Sequence, residues 1–87
     1  MDIGVYRQCL EQYVREAVQN SDGTHAGISE YLNSIKVSGL FVRNKVEKQT
    51  ALREAILAFE QHRHWPLDIV LSHLGVEVRN PNSPKTQ

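Results

Sequence analysis

The sequence contains few of the residues and patterns on which several protein classes depend. Its one cysteine, Cys9, excludes an internal disulfide, and we expect a reducing, cytoplasmic compartment of a cell or of a host. No apolar run approaches the roughly 20 residues that a membrane-spanning helix needs. The N-terminal segment also lacks the basic stretch and apolar core of a secretory signal. We therefore expect no membrane association and no secretion.

Motifs for catalysis and for metal binding are missing as well. The histidines His25, His62, His64 and His73 show no metal-ligand spacing with each other or with Cys9. His62 and His64 are two residues apart and point to different sides of a helix end, and His73 is expected to lie far from both. The glycines are scattered, and no nucleophile elbow is present. We predict a non-enzymatic protein with no metal, no cofactor and no small-molecule substrate.

The remaining composition is that of a small globular protein. The chain has 87 residues, of which 40% are hydrophobic and 23% charged, so a folded core is expected. One core is all that this length supports, and a partner or a second copy commonly completes the burial of such a small domain. We predict one helical domain over residues 1–78 and a flexible polar tail over 79–87, which contains two prolines and no apolar residue.

Apolar residues recur at spacings of three and four, which predicts an all-α fold. We expect a compact bundle of about four helices. Their predicted ranges are 2–20, 24–35, 39–63 and 66–75.

Residues at the ends of these helices have the side chains that helix termini require. Asp2 and Thr24 are predicted N-caps, because their oxygens can accept from the free amides of a first turn. Pro66 suits the first position of the last helix. Gly75, followed by Val76, is typical of a left-handed C-terminal cap with its apolar contact.

The start of the third helix has two interpretations. Either Ser38 caps a helix that begins at Gly39, or residues 35–42 are extended and Asn44 caps a later start. Asn44 and Glu47 have the spacing of a capping box, which supports the second interpretation. We favour the first, with an irregularity near Asn44.

The centre of the third helix has a wide apolar arc. Leu52, Ala55, Ile56 and Phe59 form one stripe, and an arc of this width predicts contact with more than one neighbouring helix. Ala58 is assigned to the solvent face.

Charge is unevenly distributed along a chain whose formal net charge is zero. Residues 1–35 carry −3, residues 36–53 carry +4 and the remainder carries −1. A neutral chain lacks the general attraction of a basic domain for nucleic acid, but the basic segment provides a local patch. The simplest interpretation is that these cations solvate a helix face and pair with Glu30, Glu47 and the acidic first helix.

Three consecutive apolar residues lie inside the basic segment. Leu40, Phe41 and Val42 cannot all point inward on one helix, so at least one is exposed or is covered by a partner. Trp65, at a helix junction, is a further candidate anchor. We predict a small regulatory or inhibitory binding protein that presents a helical surface to a protein partner, and homodimerisation could use the same patch. The predicted partner-binding residues are Leu40, Phe41, Arg43, Lys45, Lys48 and Trp65.

Nucleic-acid binding is the alternative function. Residues 27–53 partly fit a helix-turn-helix, but Lys36 occupies the usual glycine position of the turn and Leu32 that of a small residue. A ribbon–helix–helix with a strand at 35–42 is a further alternative. The residues that would contact nucleic acid are Lys36, Ser38, Arg43, Lys45, Lys48 and Arg53.

Overall fold

The computed structural model describes residues 1–77, and within them the chain forms four α-helices and no strand. The all-α bundle expected from the sequence is confirmed. The predicted tail at 79–87, together with residue 78, lies outside the described residues. The helices are α1 (Ile3–Asn20), α2 (His25–Ser34), α3 (Lys45–Gln61) and α4 (Leu67–Leu74).

The predicted N-caps begin the first two helices. The Asp2 carboxylate accepts from the backbone N–H of Gly4 at 3.0 Å and from that of Val5 at 3.2 Å. The Thr24 hydroxyl accepts from the backbone N–H of Gly27 at 3.0 Å. Each side chain thus satisfies amides that have no acceptor inside the helix, and both caps are confirmed.

The C-terminal cap of α4 is also confirmed. Gly75 has a φ of 74°, a left-handed conformation that glycine adopts without steric cost. Its N–H donates to the Ser72 carbonyl at 3.0 Å, and the Val76 N–H donates to the Leu71 carbonyl at 2.9 Å. Val76 is buried, as the apolar contact of this cap requires.

The core lies around α3, which packs against all three other helices. This confirms the prediction drawn from its wide apolar arc. Ala58 is only 6% exposed, so its assignment to the solvent face was wrong. The largest side chains that are fully buried come from all four helices: Val14, Ile28, Leu32, Phe59 and Val70.

The third helix begins at Lys45, so the predicted start at residue 39 is wrong. Gly39 has a φ of 123° and Asn44 a φ of 56°, and neither value continues an α-helix. The later start is therefore the correct alternative, although the Asn44 side chain makes no capping hydrogen bond. The Glu47 carboxylate accepts instead from the backbone N–H of Asp2 at 2.7 Å, which ties the start of α1 to the first turn of α3.

Gly27, in the first turn of α2, has a structural role. Asp22 accepts from the Thr24 N–H at 3.0 Å and from the Thr24 hydroxyl at 2.6 Å, and its carboxylate lies where a Cβ on Gly27 would stand. Gly27→Ala should bring the usual gain in helix propensity of about 1 kcal/mol. Because the new methyl group displaces Asp22 from Thr24, we expect no rise in thermal unfolding temperature.

Gly4→Ala is the matched control for this prediction. A Cβ at Gly4, in the first turn of α1, would lie 3.4 Å from the Asp2 carboxylate, which is an ordinary contact. We expect Gly4→Ala to raise the unfolding temperature by a few degrees, as about 0.5–1 kcal/mol does in a domain of this size. An equal rise in Gly27→Ala, followed by circular dichroism, would contradict the role given to Asp22.

None of the four described helices is long and apolar enough to cross a membrane.

Candidate functional site: the basic loop

The candidate site is the connection between α2 and α3, residues 35–44, which we call the basic loop. Its first half is fixed to the bundle, because Ile35 and Val37 pack against the core. The Gln49 side-chain amide donates to the Val37 carbonyl at 2.9 Å. The Lys45 ammonium donates to the Gly39 carbonyl at 3.4 Å. The loop is therefore held against the first two turns of α3.

Leu40 and Phe41 form the apolar tip of this loop. Leu40 is 94% exposed and Phe41 is 96% exposed, whereas the neighbouring Val42 is half-buried. The prediction that these three apolar residues cannot all be buried is confirmed. Two adjacent large apolar side chains with almost no contact to their own chain are unusual, since such residues are normally buried at least in part.

Four cations lie near the apolar tip in sequence and have no carboxylate partners in the described chain. Lys36 and Arg43 belong to the basic loop, and Lys45 and Lys48 to the first turn of α3. The one ion pair that residues 1–77 form is Glu11–Arg15, at 3.1 Å within α1. The expected pairing of the basic segment with Glu30, Glu47 and α1 is therefore not observed. The local charge of +4 remains uncompensated, next to the positive end of the α3 dipole.

The structure brings together most of the predicted partner-binding residues but not Trp65. Leu40, Phe41 and Arg43 lie on the basic loop, with Lys45 and Lys48 immediately after it. Trp65 follows the opposite end of α3, whose 17 residues span roughly 25 Å. The predicted surface is thus one loop with one helix start, rather than a helical face.

The geometry departs from both nucleic-acid-binding folds considered for this segment. A helix-turn-helix joins its two helices by three or four residues, whereas ten residues separate Ser34 from Lys45. Lys36 and Ser38 accordingly lie in an irregular loop rather than on a recognition helix. Residues 35–42, expected as the strand of a ribbon–helix–helix, form no strand in the described chain. Arg53 is exposed two turns further along α3.

Comparison with known proteins gives no relative. The chain matches no family model, no curated protein and no solved structure. Function has to be argued from the geometry alone.

Two apolar residues close to the basic loop were not predicted as part of the surface. Val46 is 60% exposed on the first turn of α3, and Ile3 is 59% exposed on the first turn of α1. The Asp2–Glu47 hydrogen bond brings these two turns together. The sequence indicated that Val46 could be exposed, because it lies off the stripe formed by Leu52, Ala55 and Phe59. It gave no such indication for Ile3, which fits the apolar stripe of its own helix.

A cluster of aromatic rings lies at the opposite end of the bundle. His62 stacks on Trp65 with ring centroids 3.7 Å apart and an interplanar angle of 11°. His73 meets both rings edge-on, at 5.3 Å from His62 and 5.6 Å from Trp65. The expectation that His73 lies far from His62 is wrong, because α4 turns back over the end of α3. The cluster packs these two helices together, and residues 1–77 contain no group of three or more metal-ligating side chains.

A groove with several polar side chains lies between α2 and α3. The Ser29 hydroxyl donates to the Glu60 carboxylate at 3.1 Å, and the His25 ring meets Phe59 edge-on at 5.8 Å. His25 Nε2 is buried and has no hydrogen-bond partner among the described residues. The serine proton therefore points to a carboxylate rather than to the neighbouring imidazole.

A second groove, between α1, α3 and α4, contains Tyr6, Glu54 and His73. Burial raises the pKa of Tyr6 above 10.0, and the nearby Glu54 carboxylate acts in the same direction. Burial also raises the pKa of Tyr13, on the same helix. Both phenols therefore keep their protons at neutral pH. Cys9 is half-buried and packs against the core.

The carboxylate beside the basic loop gives a pH-dependent prediction. The hydrogen bond from the Asp2 N–H lowers the pKa of Glu47 below its ordinary value of 4.5. A group whose pKa is lower in the folded state stabilises the fold above its unfolded-state pKa, and this contribution is lost as pH falls through the folded-state value. We expect Glu47→Gln to unfold at a lower temperature than the wild type at pH 7. The difference should diminish as pH falls below 4.5 and through the lower folded-state pKa of Glu47.

Thermal unfolding followed by circular dichroism at several pH values measures this difference. Glu30→Gln is the control, since it removes an exposed carboxylate that accepts no hydrogen bond within residues 1–77. A gap between Glu47→Gln and wild type that persists unchanged at pH 3 would show that the Glu47 charge does not stabilise this contact.

Proposed function

We propose that this chain is a small non-enzymatic binding protein, regulatory or inhibitory in role, that docks on a protein partner through the basic loop. The single observation that supports the proposal most directly is the apolar tip, where Leu40 and Phe41 are 94% and 96% exposed. Large aromatic side chains dominate the energetics of protein interfaces when a partner buries them. A cytoplasmic location is part of the same proposal.

The shape of the loop favours binding rather than a passive connection. Ile35 and Val37 anchor it in the core, and Gln49 holds the Val37 carbonyl. A loop that is already fixed loses less conformational entropy when it binds than a mobile one does. The chain thus presents Phe41 from a structured support.

Site-specific photo-crosslinking tests the proposal. A benzophenone amino acid replaces Phe41 in cells that produce the protein, and the matched control carries it at Ile69, which is 47% exposed on α4. We expect protein adducts from position 41 that position 69 does not give. Adducts with nucleic acid would support the alternative function, and adducts with a second copy of the chain would support homodimerisation. The absence of any adduct specific to position 41 would contradict the docking function.

A further inference from the structure

The partner's binding site can be described from the chemistry of the basic loop, and this inference rests on the proposed function. The loop presents apolar side chains and cations, and each kind of group requires a different kind of surface on the partner. Leu40 and Phe41 together expose the largest adjacent apolar side chains of the described surface. An aromatic ring that becomes buried needs an apolar pocket, since about 150–250 Å² of surface leaves water with it.

The cations of the basic loop determine which residues the partner needs around this pocket. Lys36, Arg43, Lys45 and Lys48 make no ion pair with any carboxylate of residues 1–77. These side chains flank the apolar tip in sequence, on both its N-terminal and C-terminal sides. A partner that buries the tip therefore brings its own rim close to four cations, and a basic or neutral rim would leave them uncompensated.

Backbone N–H groups of the loop and of the start of α3 also favour negatively charged acceptors, as the cations do. The backbone N–H groups of Leu40, Phe41, Val46 and Glu47 donate to no acceptor within the described chain. The amides of Val46 and Glu47 belong to the N-terminus of α3, which favours negative charge. Acceptors on the partner, carboxylates above all, would match both the side chains and these amides.

From these observations we propose that the partner holds Phe41 in an apolar pocket and surrounds the basic loop with aspartate and glutamate side chains. A second copy of the chain fits less well, because facing basic loops would place like charges together. A bilayer would leave the free amides of the tip without acceptors in its hydrocarbon region. Nucleic acid offers phosphates and base faces for Phe41 but no apolar pocket for Leu40.

A random peptide library displayed on phage and selected against the full chain tests this inference. We expect the selected peptides to combine a large apolar residue with several aspartates or glutamates. The synthetic form of the best peptide is then titrated by calorimetry into the wild type and its variants. Phe41→Ala should weaken its affinity at least about tenfold, as truncation of a central aromatic anchor does.

Charge variants separate the two parts of the proposal. The double variant Lys36→Gln with Lys45→Gln should weaken binding by a smaller factor, about threefold, and should reduce its dependence on salt. Ile69→Ala and Arg63→Gln, an exposed apolar residue and an exposed cation away from the loop, are the controls and should stay within about twofold of wild type.

Several outcomes would overturn the inference. These are selected peptides without net negative charge, peptide affinity that Phe41→Ala leaves intact, and tighter Phe41-dependent binding to poly(dT) or to phosphatidylserine vesicles. A molar mass by light scattering that doubles in wild type but not in Phe41→Ala would make a second copy the occupant. Protein crosslinks from position 41 combined with non-acidic peptides would refute the acidic rim and leave the docking function standing.

Discussion

Phe59→Ala is expected to lower the free energy of unfolding by about 3–5 kcal/mol. Phe59 is fully buried on α3, the helix that contacts all three others, and its ring meets the edge of His25 at 5.8 Å. Truncation removes the transfer free energy of the ring and leaves a cavity that rigid helices fill only in part. Since the total stability of a domain is about 5–15 kcal/mol, this loss removes a large part of it.

Urea unfolding followed by circular dichroism measures this loss, and the chain contains its own control. Phe41→Ala is the same substitution at a side chain that is 96% exposed, and we expect it to change stability by less than about 0.5 kcal/mol. If Phe59→Ala does not fold, Phe59→Leu keeps most of the volume and should cost less than the alanine variant. A loss below about 1 kcal/mol in Phe59→Ala would contradict the central position of this residue.

Ala55→Leu is expected to destabilise the protein by about 1–3 kcal/mol through overpacking. Ala51, Ala55 and Ala58 lie along one stripe of α3 and are buried, which shows that neighbouring groups approach this stripe closely. Leucine has a helix propensity close to that of alanine, so the substitution changes volume far more than intrinsic helix stability. The added carbons would force rotamers or helix positions to shift.

Ala26→Leu is the control for this change, because Ala26 is an exposed alanine in the first turn of α2. We expect its unfolding midpoint in urea to stay close to that of wild type. Equal midpoints for Ala55→Leu and wild type would show that the bundle has room at this position and that its α3 stripe is loosely packed.

The parts of the fold that sequence could predict are those that local interactions decide. The caps at Asp2, Thr24 and Gly75 need only their neighbours in the chain, and each was predicted correctly. The helix spacing of apolar residues likewise identifies α1, α2 and α4 to within about one residue at each end. Ala58 shows the limit, since a small residue fits either face and only the neighbouring helices decide which one.

The start of α3 could not be settled from sequence because tertiary contacts decide it. Ser38 offers a cap and Leu40–Val42 offer apolar residues, so a helix through this region satisfies local preferences. In the folded chain Gly39 adopts a φ of 123° and Gln49 holds the Val37 carbonyl, which fixes a loop instead. The sequence placed the unexplained apolar and basic residues together, but only the fold shows that they project from a loop.

The spatial distances between separate segments could not be predicted from the sequence either. Trp65 was grouped with the basic loop because both looked like anchors, yet the full length of α3 separates them. His62 and His73 were expected apart, yet they lie ring to ring because the chain reverses at Pro66. Eleven residues of sequence separation do not reveal whether the chain extends or folds back.

The position of the sole tryptophan has a practical consequence for all of these experiments. Trp65 stacks on His62 at the junction of α3 and α4, and the length of α3, roughly 25 Å, separates it from the end of the basic loop. Its fluorescence therefore reports whether that junction is intact, while a ligand that occupies the basic loop stays outside its surroundings. Calorimetry can follow binding at the loop while indole fluorescence follows folding, and neither measurement needs an added label.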